Sequence, residues 1–495
     1  MLSLAAAVAG FSPTEEPINA GESVTDACVI GAGYAGLSAA RELTKAKRSV
    51  VLLEASSRIG GRALDHQWPS GAVTELGVEF LGHRSDAPAT YKLFVDELKL
   101  SIYSHGAFVA NATQQFVCRN MRGNVSSVGG KFLPGELLKC GSPEAAAEGV
   151  AALAELDLLI AQMDASRPWA HPKAAELDAT TWEAWMAKRL GPEALIYVNR
   201  GLAPGLSDAP GRVSMLHAVY LGKTGGGLIN GLIGGNQDNR VREGGQAAAK
   251  LVAAALGPSV VRLGQPVAQI DATDSESVTV RTTGGAAHRC KEVVVTGSPL
   301  GVRRIDFAPA LPHNFSRLLA AVHQGNSVRL AVVYPTPFWR GMGLSASIGD
   351  LFPPSLVYYG YDASPEDSSV GVVEFHLCAE GADALMAMDV AAREKYVTDY
   401  MVTLFGANAS TPTAILGHDF GGDAFIGGGF QANFPPGVWT TLGPALMRDA
   451  PAGDARVHFA GTEWTHAIGG MFYGYVEGAI SSGVAAAAAV HARLG

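Results

Sequence analysis

Runs of apolar residues along the chain differ in length and spacing, and those differences separate strands from helices. After a polar lead of about 23 residues, Val24–Ile30 is a short, mostly apolar run, the pattern of a buried strand. It meets Gly31-Ala32-Gly33-Tyr34-Ala35-Gly36 and then an Ala/Leu-rich segment, Leu37 to Lys45, with helical spacing. A second apolar run, Ser49–Leu53, ends in Glu54. Strand, glycine turn, helix and strand in this order predict a βαβ unit. Further along, Val293–Val295 reads as a strand that turns at Ser298-Pro299, and Val457 to Ala460 as another that turns at Gly461. Ala-rich runs after Gln246 and from Tyr475 onward carry helical spacing. No apolar run reaches the roughly 18 to 20 residues a membrane span needs. The pattern predicts an α/β chain.

Length and composition narrow this. At roughly 150 residues per domain, 495 residues predict about three units. A hydrophobic share of 48% and a charged share of 17% exclude disorder, collagen and coiled coil. The 60 glycines predict many tight turns and close backbone approaches. A net charge of −9 argues against nucleic acid or an anionic membrane surface as partner, and is compatible with a cationic small molecule. The five cysteines (Cys28, Cys118, Cys140, Cys290, Cys378) show no C-x-x-C spacing, so no metal site is expected. Cys118 and Cys140 are the pair open to bridging in an oxidising compartment, with free buried thiols as the favoured alternative. Met1–Gly10 is apolar but lacks a basic leader, and no glycan is expected at the four sequons (Asn111, Asn124, Asn314, Asn408). The compartment stays open, with cytoplasmic or peroxisomal ahead of secreted.

The glycine spacing carries chemistry. Gly31 permits the tight turn, Gly33 lets the backbone approach a pyrophosphate, and Gly36 lets the helix lie close on the strand. Phosphates then sit on the amides of the helix N-terminus, where the dipole favours an anion. Glu54, 18 residues after Gly36, is placed to accept from ribose hydroxyls. A dinucleotide is therefore expected. The next run, Arg58-Ile59-Gly60-Gly61-Arg62, is not needed by NAD alone; its bland alternative is a surface loop with incidental basic residues.

That run is similar to a loop of FAD-containing amine oxidases, and the chain resembles the flavin monoamine oxidase family. The resemblance rests also on Glu75 to Gly82, Arg242 to Gln246 with Gln265-Pro266-Val267, Phe434-Pro435-Pro436-Gly437, Val457 to Glu463 and Gly474 to Ile480. It implies a mixed α/β (α+β) fold. A Rossmann-like FAD-binding domain of the GR2 type (24–103, 237–312 and 421–495) would interleave with a substrate-binding domain (104–236 and 313–420) of mixed sheet and helices. An extension, 1–23, would precede both. It implies FAD, with Arg58 and Arg62 supplying charge to the phosphates and Gly77 beside the isoalloxazine. Val267 would contact adenine through its backbone, Gly461, Thr462 and Glu463 would lie by the ribityl–phosphate chain, and the Val476 amide would face the pyrimidine. The implied activity is oxidative deamination of a small-molecule amine to an imine, then a carbonyl and ammonia, with O2 reduced to H2O2. A homo-oligomer is compatible with it.

Departures from the family pattern refine the expectation. Gly429 stands where mitochondrial members carry the cysteine that binds FAD covalently, so non-covalent FAD is expected. The chain ends at Leu494-Gly495, soon after its Ala-rich helix, so no membrane anchor is expected. Arg329 replaces a lysine near flavin N5, which keeps the charge but changes the geometry and, with it, the oxygen rate; a structural ion pair is the alternative. Phe430 and Tyr475 match the two aromatic walls of the amine cage, with Phe472 or Tyr473 as substitutes for the second, and Phe420 and Trp339 as pocket lining. Gly77-Val78-Glu79-Phe80 lacks the Met and Arg of L-amino-acid oxidases, so an amine without an α-carboxylate is favoured. Glu79 would hold a second amino group, as polyamine oxidases require, or would pair with Arg62 or His83. Gly-rich stretches 222–235 and 341–349 would be mobile walls of a roomy pocket, compatible with a long aliphatic amine or a fumonisin-like amino alcohol. Two other classes remain: a non-catalytic flavoprotein that binds a protein partner, and a desaturase or isomerase of an apolar polyene.

Overall fold

The computed structural model describes residues 24–104, 115–119, 125–129, 141–227, 237–447 and 451–495. The expected extension 1–23, the sequons at Asn111 and Asn124, and Cys140 lie outside these residues.

Strand Thr25–Ile30 runs into helix Tyr34–Lys45 and returns in strand Val50–Leu53, giving the expected βαβ unit. The helix starts three residues earlier than its apolar spacing predicts, because Gly33 is its N-cap and the glycine turn leads straight into it. Thr25–Ile30 is the centre of an eight-stranded sheet, parallel to Val50–Leu53 on one side and to Ala287–Val295 on the other. Strand Val457–Phe459 joins the far side of Ala287–Val295, so segments more than 400 residues apart in sequence share one sheet. Helix Val476–Leu494 packs across Tyr34–Lys45, where a Cβ on Gly483 would lie 2.2 Å from the Ala35 carbonyl oxygen. Cys28 and Cys290, on adjacent strands, form a disulfide, and Cys378 is a buried free thiol. This corrects the free-thiol expectation for Cys28 and Cys290 and bears it out for Cys378: strand pairing over 262 residues, invisible in local spacing, selects the partners.

A seven-stranded sheet forms the second layer, in the order 414–419, 327–334, 371–378, 359–362, 348–349, 115–119, 125–129. Every residue of Ser327–Tyr334 and Gly371–Cys378 is buried, so both faces of these strands are covered. Their antiparallel register sets Arg329 opposite His376 and Tyr359 opposite His376, with Tyr361 opposite Glu374. Side chains alternate with period two, so these five share one face. Helices Pro143–Ala161, Pro192–Leu206 and Met215–Thr224 pack together as a third element. The stretch 341–349 is not a pocket wall. Ala346 and Ile348 are buried in the core of the seven-stranded sheet, because Ile348–Gly349 pairs with its strands.

Candidate active site

One cavity of about 620 Å³ runs from the glycine turn to the face of the seven-stranded sheet. At the turn, Gly31 has φ +103°, and a Cβ on Gly36 would lie 1.9 Å from the Gly31 carbonyl oxygen. A Cβ on Gly33 would meet no protein atom within 4 Å, and Gly33 lines the cavity, so a ligand has access to the backbone there. The Glu54 carboxylate accepts from the Ala32 amide at 2.6 Å and the Ser56 amide at 2.9 Å. Burial raises its pKa, against the hydrogen bonds that favour the charged form. Gly77, Val267, Gly461, Thr462 and Val476 also line the cavity, and Val476 is the first residue of its helix, where amides are free to donate. A pyrophosphate fits this end: open backbone at a helix N-terminus, an acidic group for the ribose, and two arginines nearby.

Those arginines have protein partners that the sequence did not assign. Arg58 donates to the Gly61 carbonyl at 2.7 Å and pairs with Asp423 at 3.5 Å. Arg62 forms a two-pronged pair with Glu463, at 2.6 and 2.9 Å, and also donates to the Phe430 carbonyl. Glu463 is buried and is not among the residues that line the cavity. Its contribution is to hold Arg62, and Arg62 in turn ties the C-terminal turn to the Phe430 backbone.

Phe430, Tyr475, Tyr473 and Phe420 line the cavity. Trp339 does not: it is buried in the sheet core and donates to Asp362 at 2.8 Å. Phe472 is absent from the lining as well. Beside Phe430, helix Pro192–Leu206 ends against Gln431, whose amide donates to the Gly205 carbonyl at 3.3 Å. From there the cavity is walled by Leu156, Trp182, Leu202, Leu206, Ala218 and Leu221. No charged residue from these helices faces it among the described residues.

The other wall is charged and buried. One guanidinium nitrogen of Arg329 donates to Glu79, Glu374 and, at 2.7 Å, the Tyr361 hydroxyl. Arg240 pairs with Glu75 at 2.5 Å and Glu79 at 3.2 Å. Glu79 therefore does not pair with Arg62 or His83; His83 meets Asp238 instead, at 3.0 Å. Tyr361 donates to Glu79 and lies 2.9 Å from His376 Nε2. Glu79, Glu374 and His376 converge on one region, and the cation between the two carboxylates is the Arg329 guanidinium. Burial raises the Glu374 carboxyl to about 8. Burial, and then the charge of Arg329, pushes His376 well below its ordinary value, so its ring is neutral. Arg329 thus keeps a positive charge in the cavity wall, held between Glu79 and the raised Glu374 carboxyl. Sequence reasoning missed His376, Tyr361, Glu374 and Arg240. The available signal was a run of charged and aromatic residues at period two inside strands otherwise apolar.

Residues 34–491 match the model of the flavin containing amine oxidoreductases. The chain belongs to that family. It is 31% identical to a putrescine oxidase of Kocuria rosea over 94% of this chain and 95% of the relative. It is 30% identical to an L-amino acid dehydrogenase of Synechocystis sp., over 94% and 95% respectively. The structure of cyclohexylamine oxidase from Brevibacterium oxydans IH-35A superposes with a TM-score of 0.83 at 27% identity, covering 95% of this chain and all (100%) of that one. As a member of this family the protein is an FAD-dependent amine oxidase acting on CH–NH2 groups. No described helix is long and apolar enough to cross a membrane.

Proposed function

We propose that the protein oxidises a primary monoamine with an apolar body and no α-carboxylate. The observation that carries this reading is that the part of the cavity lining contributed by helices Pro143–Ala161, Pro192–Leu206 and Met215–Thr224 is uncharged. A second ammonium group placed there has no carboxylate to meet among the described residues, which disfavours diamines. A substrate carboxylate at the sheet wall meets Arg329, whose guanidinium is already shared by Glu79 and Glu374. The cyclohexylamine oxidase likeness agrees with an apolar body.

In this reading Gly33, Glu54, Val267, Thr462 and the first turn at Val476 hold FAD, and Arg58 and Arg62 lend charge to its phosphates. Gly429 offers no thiol, so FAD is bound non-covalently. Bound FAD supplies the two-electron acceptor for the amine and, once reduced, the donor to O2. Phe430 and Tyr475 flank the amine and exclude water, while this uncharged lining aligns its carbon chain. Arg329 fixes the carboxylates of the sheet wall at the edge of the cavity. The division into an FAD-binding unit (24–103, 237–312, 421–495) and a substrate-binding unit (104–236, 313–420) belongs to the same reading. The test is anaerobic titration of the purified holoenzyme with hexylamine, cyclohexylamine, putrescine and an L-amino acid. The flavin bands are expected to bleach with the first two; bleaching by putrescine or the amino acid alone overturns the assignment.

A further inference from the structure

An alkylamine has a pKa of about 10, so it reaches the protein as an ammonium ion and must lose a proton before its α-carbon can be oxidised. His376 is the neutral ring of the charged wall. It lines the cavity with its ring 6.0 Å from that of Phe430. Its Nε2 faces the Tyr361 hydroxyl at 2.9 Å and Glu374 at 3.6 Å, while Nδ1 has no hydrogen-bond partner among the described residues. Tyr361 donates its own proton to Glu79 and accepts from Arg329 at 2.7 Å. This fixes the tautomer: Nε2 carries the hydrogen, and Nδ1 presents a lone pair. The hydrogen bonds therefore run in one direction, from the cavity through His376 and Tyr361 to Glu79.

We propose that His376, Tyr361 and Glu79 form a proton relay that deprotonates the ammonium form of the substrate. This rests on the amine lying beside Phe430, as above. The ammonium N–H breaks as Nδ1 takes the proton, Nε2–H passes to the Tyr361 oxygen, and the Tyr361 hydrogen forms an O–H bond on the Glu79 carboxylate. The net change is ammonium plus carboxylate to amine plus carboxylic acid. His376 passes a proton without holding it, so its low basicity is no obstacle. When Glu79 takes the proton, Arg240 keeps Glu75 as its partner and Arg329 keeps the Glu374 carboxyl. The groups that face His376 are Arg329 on the opposing strand, Glu374 on its own, Tyr359 and Tyr361 on the neighbour, and Glu79 from the loop; Arg240 lies behind Glu79.

The test uses holoenzyme, His376→Gln and Tyr361→Phe, each checked for bound FAD and native circular dichroism. Anaerobic flavin reduction is followed with hexylamine and with a fluorinated alkylamine that is largely neutral at pH 7. With hexylamine at pH 7 both variants are expected to lose about 100-fold, the range of positioned proton transfer, and to recover as pH approaches that of the free amine. With the fluorinated amine they keep the wild-type rate. Equal losses with both amines at every pH, or no loss with hexylamine at pH 7, overturn the relay. A wild type whose flavin no amine bleaches overturns the proposed function instead.

Discussion

A side chain at Gly33 has no protein atom to meet, whereas one at Gly36 meets the Gly31 carbonyl at 1.9 Å. The two substitutions therefore separate binding from folding. Gly33→Val is expected to give folded protein that has lost its visible flavin spectrum, because the branched side chain fills space meant for the phosphates. Gly36→Val is expected to give little soluble protein at all, as the helix is pushed off the strand. Expression, circular dichroism and absorbance of each variant check this. At Arg62 the effect is electrostatic. Arg62→Ala leaves the buried Glu463 carboxylate without its counter-charge, and a loss of roughly 3 kcal/mol in denaturant unfolding is expected. The double variant with Glu463→Gln is expected to recover part of it. The glycine roles were legible in the sequence because a turn is local. The Arg62–Glu463 and Arg329–Glu79 pairs, 401 and 250 residues apart, were not.

Between elements, helices Tyr34–Lys45 and Val476–Leu494 pack closely. Gly483 allows it, since a Cβ there would lie 2.2 Å from the Ala35 carbonyl oxygen. Gly483→Val is expected to destabilise the fold by about 1–3 kcal/mol, the range of overpacking, and to weaken FAD retention, because the same helix presents Val476 to the cavity. Thermal melts and dialysis against buffer measure the two effects. The Ala-rich spacing from Tyr475 onward predicted this helix, and its start agrees to one residue. The strands that hold Arg329, Glu374 and His376 read as apolar runs with charges in them. Only their register puts those charges on one face.

Across the molecule, three buried carboxyls (Glu75, Glu79, Glu374) pair with two arginines, Arg240 and Arg329, and Asp65 lies opposite Glu75 on the neighbouring strand. Burial raises Asp65 and Glu374 to about 8 and Glu75 to about 6. A carboxyl whose folded pKa lies above its unfolded value binds more protons in the folded state, so its contribution to stability is lost as pH rises between the two. The melting temperature is expected to fall from pH 5 toward about 8.5, and Glu374→Gln, which cannot ionise, to flatten that slope; an unchanged slope refutes the assignment. The sequence by itself determined the βαβ unit, the dinucleotide, the family, and the glycines and helix start around the cofactor site, because these depend on spacing within some tens of residues. Tertiary structure alone decided what Glu79, Arg62 and Arg329 pair with, which cysteines meet, and that His376 faces the cavity. Those outcomes depend on strand register and on segments brought together from hundreds of residues apart. No local pattern encodes that.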